Sequence, residues 1–269
     1  MNGEYKGKIK TLLDAVPPGA LVDSKWMNRH NIADSTYHDY VRRGWLLRLA
    51  QGLFLRPSSA MKRGDPLPWR VVVASMHQIM ELDFHVGGIS ALNLQGFAHF
   101  VQMSGKDRVL LYATRLPGWL DAINTDATFE RRSIKLFNDP YLGIQALERD
   151  GPTFAGPASF PLSTPERGVL EAMDELSEDS DFYELDRVFE GLVNLRPSLL
   201  MGLLQDCRKV KVVRLFFAFG ERHRHAWFPY LDEHALNFGS GDRQLVKSGR
   251  IHPKYRITVP AWFMEASAD

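Results

Sequence analysis

The chain has 269 residues, of which 45% are hydrophobic and six are tryptophan, and its formal net charge is +1. This composition excludes a disordered chain, and no apolar run approaches the roughly 18 residues of a membrane-spanning helix. The single cysteine, Cys207, excludes an intramolecular disulfide and is predicted to be a small core residue. The first residues lack a hydrophobic signal segment, so a reducing cytoplasm is expected.

Two helices and a short strand are predicted before residue 31. Residues 6–14 predict the first helix, and residues 20–22 predict a strand that pairs with a later hairpin. Asp23 can accept hydrogen bonds from the free backbone N–H groups that begin a helix over residues 24–30. Asn31 tolerates the left-handed conformation that ends such a helix and turns the chain.

A third helix is predicted over residues 35–43, with Asp34 as its N-cap and Gly44 at its end. Its spacing places Tyr37, Tyr40 and Val41 on one apolar face. The opposite face carries groups that can contact base edges and phosphates: Ser35, Thr36, His38, Asp39 and Arg42. The helix pair therefore has the pattern of a helix-turn-helix, with the third helix as the recognition helix.

A β-hairpin is predicted directly after this helix. Residues 45–49 and 53–56 have strand character, and residues 51–52 (Gln-Gly) form a turn signal between them. The hairpin would be the wing of a winged helix-turn-helix. On this wing, Arg48 and Arg56 are expected to lie against the sugar-phosphate backbone of DNA.

The charge distribution supports a nucleic-acid reader. Residues 1–63 contain eleven Lys and Arg against five Asp and Glu, a net charge of +6, and residues 64–269 carry −5. A basic module on an acidic body is typical of DNA-binding proteins. The alternative is a helical hairpin and a β-hairpin that serve only packing or partner binding.

Residues 58–68 have the polar, Gly- and Pro-containing character of a linker. We therefore predict an α+β protein, with an N-terminal winged helix-turn-helix (residues 1–63) followed by a larger mixed, mainly helical C-terminal domain (residues 64–269). Sub-regions at 64–160 and 161–269 are also expected.

The C-terminal domain is predicted to alternate helices with a few strands. Helices are expected over residues 69–82, 89–96, 165–176, 182–193, 197–207 and 211–221. Strands are expected at 84–86, 109–112 and 129–137, a loop at 151–161, and short strands near the C-terminus. Ser90 is a candidate cap of the second of these helices. Thr164 before Pro165 predicts an N-cap, and Ser163 with Glu166 forms a capping-box pattern.

The sequence contains no recognisable catalytic signature. There is no phosphate-binding GxxxxGK[ST] loop and no GxSxG nucleophile elbow. His223 and His225 lack a third metal ligand at a recognisable spacing, so they are interpreted as surface histidines after a helix. No catalytic residue, metal site or cofactor is predicted.

Three segments, in this order, resemble the AbiEi antitoxins of bacterial abortive-infection toxin–antitoxin operons. They are YVRRGWLLRLAQGLFLRP in the predicted winged helix, VGGISALNLQGFAH in mid-chain, and a C-terminal set. That set comprises STPERGVLEAMDEL, VKVVRLFFAF and FGSGDRQLVKSGRIHPKYRITVPAWF. Together the segments span nearly the whole chain.

The resemblance implies a transcriptional repressor of a type IV toxin–antitoxin operon and an antitoxin against a nucleotidyltransferase toxin, not an enzyme. It implies binding to inverted repeats in the chain's own promoter, and hence two copies per operator. It leaves the state off DNA, and any direct contact with the toxin, open. The DNA-binding candidates are Lys25, Arg29, Ser35, Thr36, His38, Asp39, Arg42, Arg43, Arg48 and Gln51. The candidates for the antitoxin role are Asp242, Arg243, Lys247, Lys254 and Arg256.

Two other functions remain open at this point. One is a nucleic-acid-processing enzyme that uses the winged helix for docking, which metal-dependent cleavage of DNA or RNA would reveal. The other is a transcription factor whose C-terminal domain senses a small molecule. The basic cluster over residues 208–256 is either a second surface for nucleic acid or an acidic partner, or a solvated rim over a helical bundle.

Overall fold

The computed structural model describes residues 2–59, 64–97, 106–154, 156–246 and 249–265. It is of the predicted mixed α+β class. The chain divides into two compact units. Unit 1 comprises Met1–His85, Ser104–Arg131 and Ala146–Pro161, and unit 2 comprises Val86–Met103, Arg132–Gln145 and Leu162–Asp269.

The described α-helices are α1 (Asn2–Ala15), α2 (Ser24–Arg29), α3 (Asp34–Arg42), α4 (Trp69–Gln78), α5 (Gly88–Leu94), α6 (Pro165–Glu175), α7 (Asp179–Glu190), α8 (Pro197–Asp206) and α9 (Val210–His223). The described strands are β1 (Leu21–Asp23), β2 (Leu47–Ala50), β3 (Leu53–Leu55), β4 (His85–Val86), β5 (Asp107–Tyr112), β6 (Ala127–Arg132), β7 (Ile144–Phe154), β8 (Gly156–Ser163), β9 (Arg250–Ile251) and β10 (Thr258–Val259).

Unit 1 begins with a winged helix, as predicted. Helices α1 to α3 pack against a three-stranded antiparallel sheet in the order β1-β3-β2, in which Val22 lies opposite Phe54. Phe54, Tyr40 and Ile32 are fully or almost fully buried in one apolar cluster. The small strand, the helix pair and the hairpin of the sequence analysis are therefore all present.

Unit 1 continues beyond the boundary predicted at residue 63. The hydroxyl of Ser75 on α4 accepts a hydrogen bond from the backbone N–H of Leu21 on β1 at 3.0 Å. Ile79 lies in the same apolar cluster as the helices of the winged helix. Because α4 completes this core, the compact unit runs through His85. Residues 60–63 of the predicted linker lie outside the described residues.

Most residues of a five-stranded sheet also belong to unit 1, and this sheet corrects two predictions. Its strand order is β6-β5-β4-β8-β7. Most of the segment 151–161, predicted to be a loop, lies in β7 and β8, and the strand predicted over 129–137 ends at Arg132. Local Gly and Pro content indicates turns, but strand formation depends on pairing with residues distant in sequence, as in the parallel pairing of Val86 with Leu162.

Unit 2 has a helical core built from α6 to α9. Phenylalanines from α7 and α9 fill it, with ring centroids 5.4 Å apart for Phe189 and Phe219. Gly168 on α6 allows close packing on α5, because an added Cβ would lie 3.3 Å from the Leu92 side chain. The predicted helices of this region are present with ends shifted by a few residues.

The start of α6 confirms one cap and corrects another. The Thr164 hydroxyl accepts from the backbone N–H of Arg167, and Pro165 is the first helical residue. The predicted capping box does not form. Ser163 donates its hydroxyl to Glu171 at 2.7 Å instead, and Glu166 accepts two side-chain hydrogen bonds from Arg196, each at 2.9 Å.

Helix α5 also begins differently from the prediction. Gly87 is its N-cap and Ser90 lies within the helix, so Ser90 is not the cap. The backbone N–H of Gly88 donates to the carboxylate of Glu171 at 2.9 Å. The buried carboxylate of Glu171 on α6 thus accepts from a free backbone N–H in the first turn of α5. This contact joins two of the segments on which the family resemblance rests.

Candidate nucleic-acid interface

The turn between α2 and α3 is built by local interactions. The Asp23 carboxylate accepts from the Trp26 N–H at 2.8 Å and caps α2, as predicted. Asn31 adopts the left-handed conformation with φ of 56°. Ile32 is fully buried, which anchors α3 against the core of the winged helix.

Asp34 does not cap α3. Ala33 is the N-cap and makes no side-chain hydrogen bond, whereas Asp34 is the first helical residue. The Asp34 carboxylate instead interacts with Tyr37. Burial and the hydrogen bond with Asp34 raise the pKa of Tyr37 above its ordinary value. Asp34 still favours the helix start electrostatically, because a negative charge there opposes the positive end of the helix dipole.

The face of α3 away from the core is polar and accessible. Tyr37 and Tyr40 are buried, whereas the opposite side chains are exposed or half-buried: Ser35, Thr36, His38, Asp39 and Arg42. Arg42 forms an ion pair with Asp39 three residues earlier. The guanidinium must exchange this partner if it is to contact a base or a phosphate.

The wing lies next to α3 along the chain. Strands β2 and β3 pair with an irregularity between Arg48 and Ala50, and Arg48 and Gln51 are exposed. Lys25 on α2 and Arg43 at the end of α3 are also exposed. Four polar side chains around α3 are therefore exposed to solvent.

Two predicted phosphate contacts are engaged within the fold. Arg29 donates to the backbone carbonyl of Met80 at 3.0 Å and lies 3.6 Å from the Glu81 carboxylate. Arg56 donates to the carbonyls of Leu13 and Val16, at 2.7 and 2.5 Å. These two carbonyls lie at the C-terminal end of α1, where the last carbonyl groups of a helix have no N–H partner within the helix. Arg56 is thus a helix-capping residue, contrary to its predicted place on DNA.

The C-terminal candidates are mostly paired with neighbours in the same unit. Arg256 donates to Asp242 at 2.7 Å. Lys254 donates to Glu221 at 2.6 Å and to Glu233 at 2.9 Å. Burial acts to lower the pKa of Lys254, but these two carboxylates raise it above its ordinary value. The candidate Lys247 lies outside the described residues.

Much of the wider basic cluster also has a structural role. Arg214 is 2% exposed and donates to the carbonyls of Phe238, Gly241 and Arg256. Lys209 binds Asp174 at 2.7 Å. By contrast, Arg243 is exposed, and within the described residues its guanidinium has no ion pair. Sequence patterns offered no signal that Arg214 is buried, because its three acceptors come from loops distant along the chain.

The two C-terminal histidines were predicted to be surface residues, but both are half-buried and hydrogen-bonded. The Nε2 of His223 lies 2.7 Å from Asp186, and the Nε2 of His225 lies 2.8 Å from the carbonyl oxygen of Phe189. Cys207 is half-buried at the edge of the core, and burial raises the pKa of its thiol to about 11. Among the described residues, no group of three or more His, Cys, Asp or Glu can hold a metal ion.

The N-terminal fold is that of a winged helix-turn-helix, a fold that is common among DNA-binding transcriptional regulators. Two family models match the chain. Residues 5–103 match the transcriptional regulator, AbiEi antitoxin N-terminal domain, and residues 106–260 match the transcriptional regulator, AbiEi antitoxin, type IV toxin–antitoxin system. The chain belongs to this AbiEi family.

A solved structure has a similar fold. The crystal structure of RV2827C protein from Mycobacterium tuberculosis has a TM-score of 0.50 and 15% sequence identity, over 94% of this chain and 90% of that chain. At this identity the likeness supports the fold alone. Comparison with curated proteins gives no match. In the part of the chain that is described, no helix is long and apolar enough to cross a membrane.

Proposed function

We propose that this chain is an autoregulating antitoxin of a type IV toxin–antitoxin operon. Its winged helix binds inverted repeats in its own promoter, and its C-terminal region neutralises a cognate nucleotidyltransferase toxin in the cytoplasm. The observation that carries the proposal is the accessible polar face of α3, which exposed cations flank. This face lies on the winged helix of a chain that belongs to the AbiEi family.

The exposed side chains divide naturally between base and backbone contacts. Ser35, Thr36, His38, Asp39 and Arg42 lie on the face of α3 that would enter the major groove. Lys25, Arg43, Arg48 and Gln51 surround it and are suited to phosphate oxygens. Arg29 ranks below them, because its guanidinium already binds the Met80 carbonyl. An inverted repeat requires two copies on DNA.

A gel-shift assay on the chain's own upstream DNA tests the repressor function. Arg42→Ala should weaken specific binding by roughly 1–3 kcal/mol, the value of one good base contact. Arg70→Ala is the matched control, because Arg70 is an exposed arginine on α4 that is not among the proposed DNA contacts. If both variants bind like the wild type, or if no specific shift occurs, α3 is not the reading element. Activity as a nuclease would then be tested next.

Growth rescue tests the antitoxin function. Among the C-terminal candidates, Arg243 is exposed and has no ion pair among the described residues, so it is the cation most available to a partner. In cells that express the toxin, Arg243→Ala should reduce rescue while its melting temperature stays at the wild-type value. Lys135→Ala, which also removes an exposed cation in unit 2, should rescue fully. Equal rescue by both variants would exclude Arg243 from neutralisation.

A further inference from the structure

An open cavity of about 1040 Å³ lies within unit 2. Its lining residues are distant in sequence from α3 and from the wing formed by β2 and β3. It is bounded by α7, the C-terminal end of α9 and the segment that ends at Glu265. Its volume is slightly above the usual range for small-molecule sites, roughly 300–1,000 Å³. None of its lining residues takes part in the proposed contacts with DNA.

One wall of the cavity combines aromatic rings with guanidinium groups. Tyr183 and Trp262 meet edge to face, with centroids 5.9 Å apart. Arg187 lies 5.5 Å from the centroid of the Tyr183 ring, and Arg222 lies 5.6 Å from that of Trp262. Tyr183 remains 49% exposed. Accessible aromatic rings beside arginines are the surfaces on which proteins stack nucleic-acid bases.

The charges that line the cavity are largely neutralised by each other. Asp186 accepts from Arg222 at 3.1 Å, and Glu190 accepts from Arg187 at 3.2 Å. Among the described lining residues, the exposed side chains of Arg224 and Glu265 have no ion pair. A lining with one unpaired cation and one unpaired carboxylate favours a ligand with a single phosphate over a polyphosphate, which the carboxylate would repel.

Two histidines supply hydrogen-bonding groups of opposite kind. Burial lowers the pKa of both His225 and His252, which favours their neutral forms. His225 donates from Nε2 to the Phe189 carbonyl, which leaves its Nδ1 as an acceptor. His252 accepts at Nδ1 from the Tyr255 N–H, which leaves its Nε2–H as a donor. The lining residues thus offer both a donor and an acceptor, the two kinds of group that a base or a ribose requires.

We propose that this cavity binds a nucleotide with a single phosphate, its base against Tyr183 and its phosphate at Arg224. The same chemistry is offered by a free nucleoside monophosphate and by one nucleotide of a single-stranded nucleic acid. The inference is independent of promoter binding, because it rests on residues of unit 2 alone. It adds a ligand site to the regulator.

Two variants of the full-length chain remove the proposed contacts. Tyr183→Ala deletes the exposed ring. Arg224→Gly deletes the guanidinium, and glycine suits this position because Arg224 has φ of 50° at the end of α9. The matched controls are Tyr230→Ala, which removes a tyrosine that is 76% exposed, and Arg208→Ala, which removes an exposed cation outside the cavity lining.

Calorimetric titration with AMP, GMP, CMP and UMP, with inorganic phosphate and with a short single-stranded oligonucleotide provides the test. We expect saturable binding of at least one nucleotide-containing ligand, weakened about tenfold or more by Tyr183→Ala and by Arg224→Gly but unchanged in the controls. Binding of monophosphates assigns the site to a free nucleotide. Binding of the oligonucleotide alone, with the same sensitivity to the variants, assigns it to a strand.

Three results would overturn the inference. One is the absence of saturable binding up to millimolar ligand. Another is equal weakening in the control variants. The last is equally tight binding of inorganic phosphate, which would leave the aromatic wall without a role. A gel-shift assay on promoter DNA with the Tyr183→Ala and Arg224→Gly variants separates the two proposals, since these variants should bind the promoter like the wild type.

Discussion

At the scale of single residues, a buried ion pair organises the start of α6. Arg167 and Glu171 have no exposed side-chain surface and meet at 2.7 Å. Glu171 also accepts from Ser163 and from the backbone N–H of Gly88, and Arg167 donates to the Leu142 carbonyl at 2.7 Å. Since burying a charge is costly unless it is paired and hydrogen-bonded, these contacts are what make the two charges tolerable in the core.

Glu171→Gln should therefore destabilise the protein strongly. The change leaves Arg167 as a buried charge without an ionic partner, for which the expected loss in the free energy of unfolding is roughly 3–5 kcal/mol. Urea denaturation followed by circular dichroism measures it. Glu184→Gln, at an exposed position on α7, is the control and should unfold like the wild type. A loss under about 1 kcal/mol at Glu171 would show that the pair contributes little.

The pair of Glu166 and Arg196 predicts a dependence of stability on pH. Burial acts to raise the pKa of Glu166, but the hydrogen bonds from Arg196 lower it below the ordinary value of 4.5. The ionised carboxylate thus stabilises the fold above that pH, and this contribution is lost as the pH falls through the lowered pKa. At pH 7, Glu166→Gln should cost roughly 1.5–3 kcal/mol.

The difference in stability between the wild type and Glu166→Gln should shrink in acid, where the wild-type carboxylate becomes protonated and is neutral like the glutamine. Melting temperatures of the wild type and Glu166→Gln, compared at neutral pH and below the pKa of the folded state, measure this narrowing. A gap that stays constant across this range would mean that the ionised state of Glu166 does not contribute to stability.

At the scale of elements, the position of α3 depends on how its two ends are formed. Its N-terminal turn is set by buried Ile32 and left-handed Asn31, and its C-terminal end by Gly44 with φ of +75°. Asn31 and Gly44 were predicted from the sequence, because residues that end a helix in the left-handed conformation are local signals. Asp34 was predicted wrongly as the cap, because its carboxylate has a competing partner in Tyr37.

Two glycine substitutions should have opposite effects on stability. A Cβ at Gly44 would meet no atom within 4 Å, so Gly44→Ala tests backbone conformation alone and should cost about 1–2 kcal/mol. Gly7 lies within α1 and also has free space, so Gly7→Ala should stabilise by roughly 0.5–1 kcal/mol. Thermal unfolding of both variants measures these changes. Stabilisation by Gly44→Ala would contradict the left-handed end of α3.

At the scale of the whole molecule, α4 belongs with the winged helix rather than after it. Ser75 on α4 accepts a hydrogen bond from β1, and the residues just after the helix supply the Met80 carbonyl for Arg29 and the buried side chain of Ile79. Linker composition around residue 60 indicated a boundary there, but composition reports only local character. Packing across the chain places the end of this segment of unit 1 at His85.

A pair of fragments tests this division. Residues 1–85 should unfold more cooperatively and at a higher temperature than residues 1–63, since the longer fragment keeps the apolar contacts of α4. Burial of Ile79 alone is worth roughly 1.5–3 kcal/mol. Differential scanning calorimetry of the two fragments measures the difference. Equal melting temperatures would favour the boundary at residue 63.

Sequence by itself determined the winged helix, the helices of unit 2 and the resemblance to the AbiEi family. Those features depend on periodicity, caps and turn residues, whose partners lie within a few positions along the chain. Tertiary structure decided the rest. Arg56 and Arg214 donate to backbone carbonyl groups that are distant along the chain, and Glu171 accepts from the first turn of α5. The segment predicted as a loop at 151–161 lies mostly in two strands. In each case the deciding partner is far away in the sequence, and only folding brings the two groups together.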